Sequence, residues 1–228
     1  MLQHYLSYTY VGIYALASNF ANIMKSIWIA FNNSFSPLYI NYFKNNDVTN
    51  LILSSKRYLK VFSLLCFGFI LLSPEVYYVF APKEFYEGIY IIPLIVISNY
   101  FVFIYSYYGN IEFCYAKTKM LGIASVISCI FNIIFNYFLI QYYQVIGAAI
   151  STLLSSIILM LAHYYFARSI CAANLFFKFS HFVNYLIFLV LISLMYYYLI
   201  DIFWIRFIIF AIIASYLLIH LLKTRYIF

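Results

Sequence analysis

The sequence predicts an all-α protein, a polytopic membrane bundle of about seven helices, and two observations carry that reading. Of its 228 residues 67% are hydrophobic and only 8% are charged, against roughly 45–50% and about 25% in a soluble domain. Seven apolar runs, at about 11–31, 58–80, 89–110, 120–141, 145–167, 182–200 and 202–222, each approach the ~20 residues that cross a bilayer. In lipid such runs must be helical, because the backbone has no water to bond. Disorder is excluded, since it needs low hydrophobicity and high net charge. The connections between spans are too short to hold a soluble catalytic domain.

The first run carries Ser18, Asn19, Asn22, Lys25 and Ser26 on one side of a helix. An ionisable residue at membrane depth is a functional candidate by default. Lys25 lies ~9 Å from the inner end of this span at 1.5 Å per residue. It either snorkels to that boundary or faces a water-filled cavity, and the asparagines above it favour the cavity. The polar run Asn32-Asn33-Ser34-Phe35-Ser36-Pro37 is expected to end the helix. Leu38 to Lys44 would then lie along the interface as a short amphipathic helix, and Asn45-Asn46-Asp47 reads as a turn. In the third run Pro93 predicts a bend, followed by a face holding Asn99, Ser106 and Asn110.

The fourth run spaces Gly122, Ser125, Cys129, Asn132 and Asn136 by three and four residues. Small and polar residues in such a seam let membrane helices approach and bond across the contact. Gly147, Ser151 and Ser155 form a similar ridge on the fifth run, and packing is the favoured reading of both. The last two runs add only hydropathy. Arg206, about one turn inside the outer end of the last, is expected to snorkel outward.

The charges sort by side. Lys44, Lys56, Arg57, Lys60, Lys117, Lys119, Arg168, Lys178, Lys223 and Arg225 fall in one set of loops, with only Asp47 and Glu112 as acids. Lys83, Glu75, Glu84, Glu87 and Asp201 fall in the other. By the positive-inside rule the first set and the C-terminus are cytoplasmic, and an odd number of spans places Met1 outside. The net charge of +7 is then a topology signal rather than a nucleic-acid one. Tyrosine pairs such as Tyr77-Tyr78, Tyr107-Tyr108 and Tyr142-Tyr143 are expected at the headgroup layers. Glu112, beside Lys117 and Lys119, reads as a solvated loop charge.

Enzymatic chemistry is not visible. The four cysteines show no paired spacing, and His4, His163, His181 and His220 are scattered without metal-ligand spacing, so neither a metal nor a cofactor is expected. There is no phosphate-binding glycine loop, no HExxH and no GxSxG. No carboxylates sit close enough in sequence for acid–base work.

Two segments together resemble a known family. Val11-Gly12-Ile13-Tyr14-Ala15-Leu16-Ala17, followed by Ser34-Phe35-Ser36-Pro37, is similar to the start of the C-terminal half of polysaccharide (O-antigen) flippases. These belong to the multidrug/oligosaccharidyl-lipid/polysaccharide exporter superfamily. The second segment runs from Lys117-Thr118-Lys119 through Asn132 and Asn136 to Gly147-Ala148-Ala149-Ile150-Ser151-Thr152, and resembles that family's N-x-x-x-N helix, outer turn and G-A-A-x-x-T helix. The likeness covers residues 11–168. It implies one lobe of a two-lobe, fourteen-helix fold that moves a polyprenyl-diphosphate-linked oligosaccharide between leaflets of the bacterial plasma membrane, for lipopolysaccharide or other surface glycans. The partners it implies are membrane lipid, that glycolipid and a separate N-terminal lobe, Met1 opening at the tail of a preceding helix. A cationic cavity would meet the diphosphate, with Lys25 as its cation. Asn19, Asn22, Ser18, Ser26, Asn99 and Asn110 would be its polar lining. Rival readings are a multidrug or cation exporter of the same superfamily, an integral-membrane polysaccharide polymerase, and a purely structural subunit.

Overall fold

The computed structural model describes residues 5–172 and 175–223, and among these every regular element is helical. The order is α1 (Tyr8–Ala21), α2 (Ile23–Lys44), α3 (Val48–Phe80), a 3-10 segment (Lys83–Ile91), α4 (Ile92–Cys114), α5 (Thr118–Ile170), α6 (Ser180–Leu199) and α7 (Phe203–Lys223). Four helical stretches among the described residues are long and apolar enough to cross a membrane: α3, the 3-10 segment continued by α4, α5 and α6.

The 53 residues of α5 are two antiparallel arms. Gln144 has φ 50° and ψ −126°, outside any helix. Asn132 Nδ2 donates to Ser155 Oγ at 2.9 Å across 23 residues, which would lie ~34 Å apart in an unbroken helix. The break falls in the gap between the runs at 120–141 and 145–167. At its base the arms touch backbone to backbone, and a Cβ on Gly147 would collide with the Leu139 carbonyl.

α4 is the centre of the bundle, with 18 of its 23 residues buried. A helix apolar all round belongs inside. Aromatic rings tie it to α2 and α3: Phe35 packs on Tyr107 with centroids 5.6 Å apart, and Phe62 stacks on Phe103 at 4.3 Å. Tyr107 and Tyr108, expected at a headgroup layer, are instead fully buried, with the Tyr107 hydroxyl donating to the Ser55 carbonyl at 3.0 Å.

Several local expectations are corrected. The Asn32–Pro37 run does not end a helix, and no separate interfacial helix follows; α2 continues through Pro37 to Lys44. Proline removes one ladder bond, but Phe35 and Tyr39, one turn apart, are both buried in the aromatic core and hold the face in place. The irregularity sits earlier, at Asn22. Lys25 is therefore 19 residues from the end of its helix, not six. Pro93 occupies the first turn of α4, where its missing N–H would have no helical partner anyway, so it introduces no kink. Asn45-Asn46-Asp47 does form the expected turn, with Asn46 at φ 53° and Asp47 capping α3 through the Asn50 N–H.

Arg206 does not reach outward. It is 2% exposed and donates to the Leu199, Ile200 and Leu71 carbonyls at 2.8–2.9 Å and to Glu75. One guanidinium thus closes the α6 C-terminus and pins the α6–α7 turn to α3. Helix ends leave carbonyls unpaired, and only arginine's planar fork meets several acceptors at once.

Arg206→Ala is expected to cost about 2–3 kcal/mol, a value reduced because Glu75 is one-third exposed. Arg206→Lys should recover only part of it. Thermal unfolding of the purified chain in detergent measures both, and an unchanged midpoint would contradict the pinning role. Gly147→Ala should abolish folded, monodisperse protein, because backbone cannot yield to its Cβ. Gly122→Ala, with nothing within 4 Å of the new methyl, should be neutral by size-exclusion profile.

Candidate functional site

The polar residues of α1 and α2 meet those of α4 and α5 at a cavity of about 280 Å³. Ser18, Asn22 and Lys25 supply one wall, and Ser98 and Asn99 of α4 the second. Ser128, Thr152 and Ser155, from the two arms of α5, supply the third. The site exists because four helices place hydroxyls and amides where their neighbours can bond them. Asn99 Nδ2 lies 3.3 Å from both the Ala21 carbonyl and Asn22 Oδ1, bridging the irregularity between α1 and α2. Intruding side chains are an ordinary cause of such breaks. The Tyr14 hydroxyl and Thr152 Oγ1 are 3.1 Å apart, and Ser98 Oγ donates to the Thr152 carbonyl at 3.3 Å.

Lys25 is the one charged residue lining this cavity, and it forms no ion pair with any described carboxylate. Ser18 Oγ is buried without a hydrogen-bond partner among the described residues. The lining thus offers a cation, free hydroxyl capacity and amide groups, and no carboxylate. That set suits an anion attached to a polar, uncharged body.

The other expected lining residues are placed differently. Asn19 and Ser26 are exposed and do not line the cavity. Asn110 lines a separate cavity further along α4, where its Oδ1 accepts from Ser36. The packing seam is likewise divided. Asn132 donates to Ser155 and Asn136 to Asn132, both at 2.9 Å, while Ser151 bonds the Gly147 carbonyl. Gly122, Ser125 and Cys129 are exposed; the arms are joined instead beside them, where Ser128 Oγ donates to the Ser155 carbonyl at 2.8 Å.

Glu112, read from the sequence as a solvated loop charge, is interior, and so is His163. Glu112 is fully buried, and His163 is 1% exposed. His163 Nδ1 and Glu112 Oε1 lie 2.9 Å apart, the imidazole stacks on Tyr105 at 4.8 Å, and Glu112 Oε2 has no described partner. Proximity to Lys117 and Lys119 in sequence suggested a loop; the helix register points the carboxylate inward. The pair links α4 to the second arm of α5.

A second cavity, of about 370 Å³, lies between α1–α2, α3 and α7 and is apolar apart from Ser73. It carries no chemistry of its own. All four cysteines are free, and no group of three or more metal-ligating side chains occurs among the described residues. Burial raises the Cys171 thiol above its usual range, which disfavours thiolate chemistry in the connection after α5. Comparison with family models, curated proteins and solved structures finds no match to this chain.

Removing one partner of a buried hydrogen-bonded pair leaves the other unsatisfied. His163→Ala is therefore expected to destabilise by about 2–3 kcal/mol, whereas the double replacement Glu112→Leu with His163→Leu should recover most of that loss. Thermal unfolding in micelles separates the two, and a single variant as mild as the double would contradict a buried, coupled pair.

Proposed function

We propose that the chain is one lobe of a flippase that carries a lipid-linked oligosaccharide across a bacterial plasma membrane. The observation that carries this reading is the lysine-bearing polar cavity within an apolar helical bundle. A diphosphate is attracted by a single unpaired ammonium. Sugar hydroxyls donate and accept hydrogen bonds, as serine, threonine and asparagine do. Lys25 is exposed while lining this cavity, and a lysine on an apolar bundle is expected to face a pathway rather than lipid.

In this reading the chain crosses the membrane seven times. α1 with α2 forms one crossing, α3 and α4 one each, the two arms of α5 two more, and α6 and α7 the last pair. The basic loops and the C-terminus lie on the cytoplasmic side. Transport sites of this kind lie between two repeats, so a second lobe is a required partner. The resemblance of residues 11–168 to the C-terminal half of polysaccharide flippases supports the same assignment.

A cation exporter of that superfamily is the second reading, and Glu112 favours it, being a buried carboxylate with one oxygen unpartnered. Glu112 is not among the residues lining the Lys25 cavity, which leaves the glycolipid reading ahead.

The test is surface display of labelled glycan in a flippase-deficient bacterium expressing this chain with an N-terminal lobe. Lys25→Ala is expected to lower display by about tenfold or more, since a charge-assisted bond is lost, with Lys25→Arg retaining much of it. Equal display with and without the lysine would overturn the assignment. Efflux of a cationic dye that requires Glu112 would instead establish the exporter.

A further inference from the structure

The cavity that takes Asn110 has a composition of its own. It measures about 250 Å³ and lies between α2, α4 and the start of α5. The Lys25 cavity uses positions 18, 22 and 25 of the α1–α2 stretch and 98, 99 and 102 of α4; this one uses 28, 32 and 36 and then 105, 106, 109 and 110. The two cavities therefore follow each other along the same pair of elements. From Ser18 to Ser36 the helical rise is ~27 Å, close to the ~30 Å thickness of a bilayer's hydrocarbon core.

No charged residue lines this 250 Å³ cavity. Its polar groups are amides, hydroxyls and one indole, and two of them have hydrogen-bonding capacity left over. Asn110 is 9% exposed; its Oδ1 accepts from Ser36 Oγ at 3.0 Å, yet its Nδ2 is buried with no described partner. Asn32 Oδ1 is buried and unpartnered in the same way. A buried donor and a buried acceptor left unmatched are each costly unless something bonds them. Trp28 Nε1 is 3.5 Å from Ser106 Oγ, a long bond that leaves the indole weakly held. Trp28 and Tyr105 bring aromatic surface to the same space, with ring centroids 6.2 Å apart. Beside them Gly109 keeps the wall open, the nearest atom to an added Cβ being Leu121 Cδ2 at 3.5 Å.

Neutral donors, neutral acceptors and aromatic faces, with no ion, are the complement of an uncharged sugar ring. Its hydroxyls exchange hydrogen bonds with amides, and its C–H face packs on aromatic rings. The volume, about 250 Å³, lies just below the ~300–1,000 Å³ typical of small-molecule sites, which suits one ring rather than a chain. We propose that this cavity, built by Trp28, Asn32, Ser36, Ser106 and Asn110, is a sugar subsite, separate from the cationic one at Lys25. It rests on reading the Lys25 cavity as a glycolipid path. In that frame Lys25 holds the phosphate while the first uncharged sugar is held one to two helical turns away.

Trp28 provides its own reporter. Trp28 and Trp204 are the two tryptophans of the chain, and Trp204 is 72% exposed. In a Trp204→Phe background, the full chain in lipid nanodiscs is titrated with methyl glucoside, with N-acetylglucosamine and, as an anionic control, with inorganic pyrophosphate. The expected result is a saturable change in Trp28 emission with at least one sugar and none with pyrophosphate. Asn110→Ala should weaken the sugar response by about tenfold, the loss of one buried hydrogen bond. Asn32→Ala, on the opposite wall, should weaken it similarly if Asn110→Ala proves unstable. No saturable response to either sugar, or a response that survives both asparagine replacements, overturns the subsite. The two proposals fail separately. Glycan display insensitive to Lys25→Ala removes the path while leaving the titration to stand, and a silent titration with lysine-dependent display removes only the subsite.

Discussion

α4 is the interior helix on which the rest of the bundle depends, and the constraint acting on it is the need to satisfy polar groups where water does not reach. Its polar side chains reach four neighbours: Asn99 bonds α1, Asn110 and Ser106 meet α2, Tyr100 and Tyr107 meet α3, and Ser98 and Glu112 meet the second arm of α5. Each bond is modest by itself. In a bundle whose outer surface is apolar, the alternative for each group is burial without a partner. That penalty fixes the rotation of α4, and the rotation of α4 fixes which residues of α1, α2 and α5 are drawn inward.

The same rule explains the edges. Arg206 answers two carbonyls that α6 leaves open at its end and a third on α3. Asn132 does comparable work between the arms of α5, reaching the Ser155 hydroxyl and the Ser151 carbonyl. Gly147 allows the arms to touch because a side chain there would collide with backbone. Polar residues act here as cross-links, and small ones as permission for close approach.

Function is sought where this accounting is left open. Lys25 has no described counter-ion, and Ser18 Oγ, Asn32 Oδ1 and Asn110 Nδ2 have no described partner. All four residues lie along one side of the α1–α2 stretch or on the facing side of α4, lining two successive cavities. By contrast the Glu112–His163 pair is mostly satisfied and lines neither of these two cavities, so it reads as a cross-link with spare acceptor capacity.

The amino-acid pattern by itself determined the helical class, the apolar runs and the turn at Asn45-Asn46-Asp47, because composition and run length depend only on what each residue prefers as a solvent. It also marked Ser18, Asn22, Lys25 and Asn99 as residues that avoid lipid, since helical spacing alone shows that they share faces. Only the tertiary structure decided which of those faces meet. It carried α2 through Pro37, because buried Phe35 and Tyr39 outweigh one missing hydrogen bond. It turned Glu112, Arg206, Tyr107 and Tyr108 inward, because each finds a partner or a packed neighbour on another helix. It left Asn19, Ser26, Gly122 and Ser125 outside. A spacing of three and four residues says that side chains lie together on a helix, but the direction in which that helix faces is set by neighbours far away in sequence.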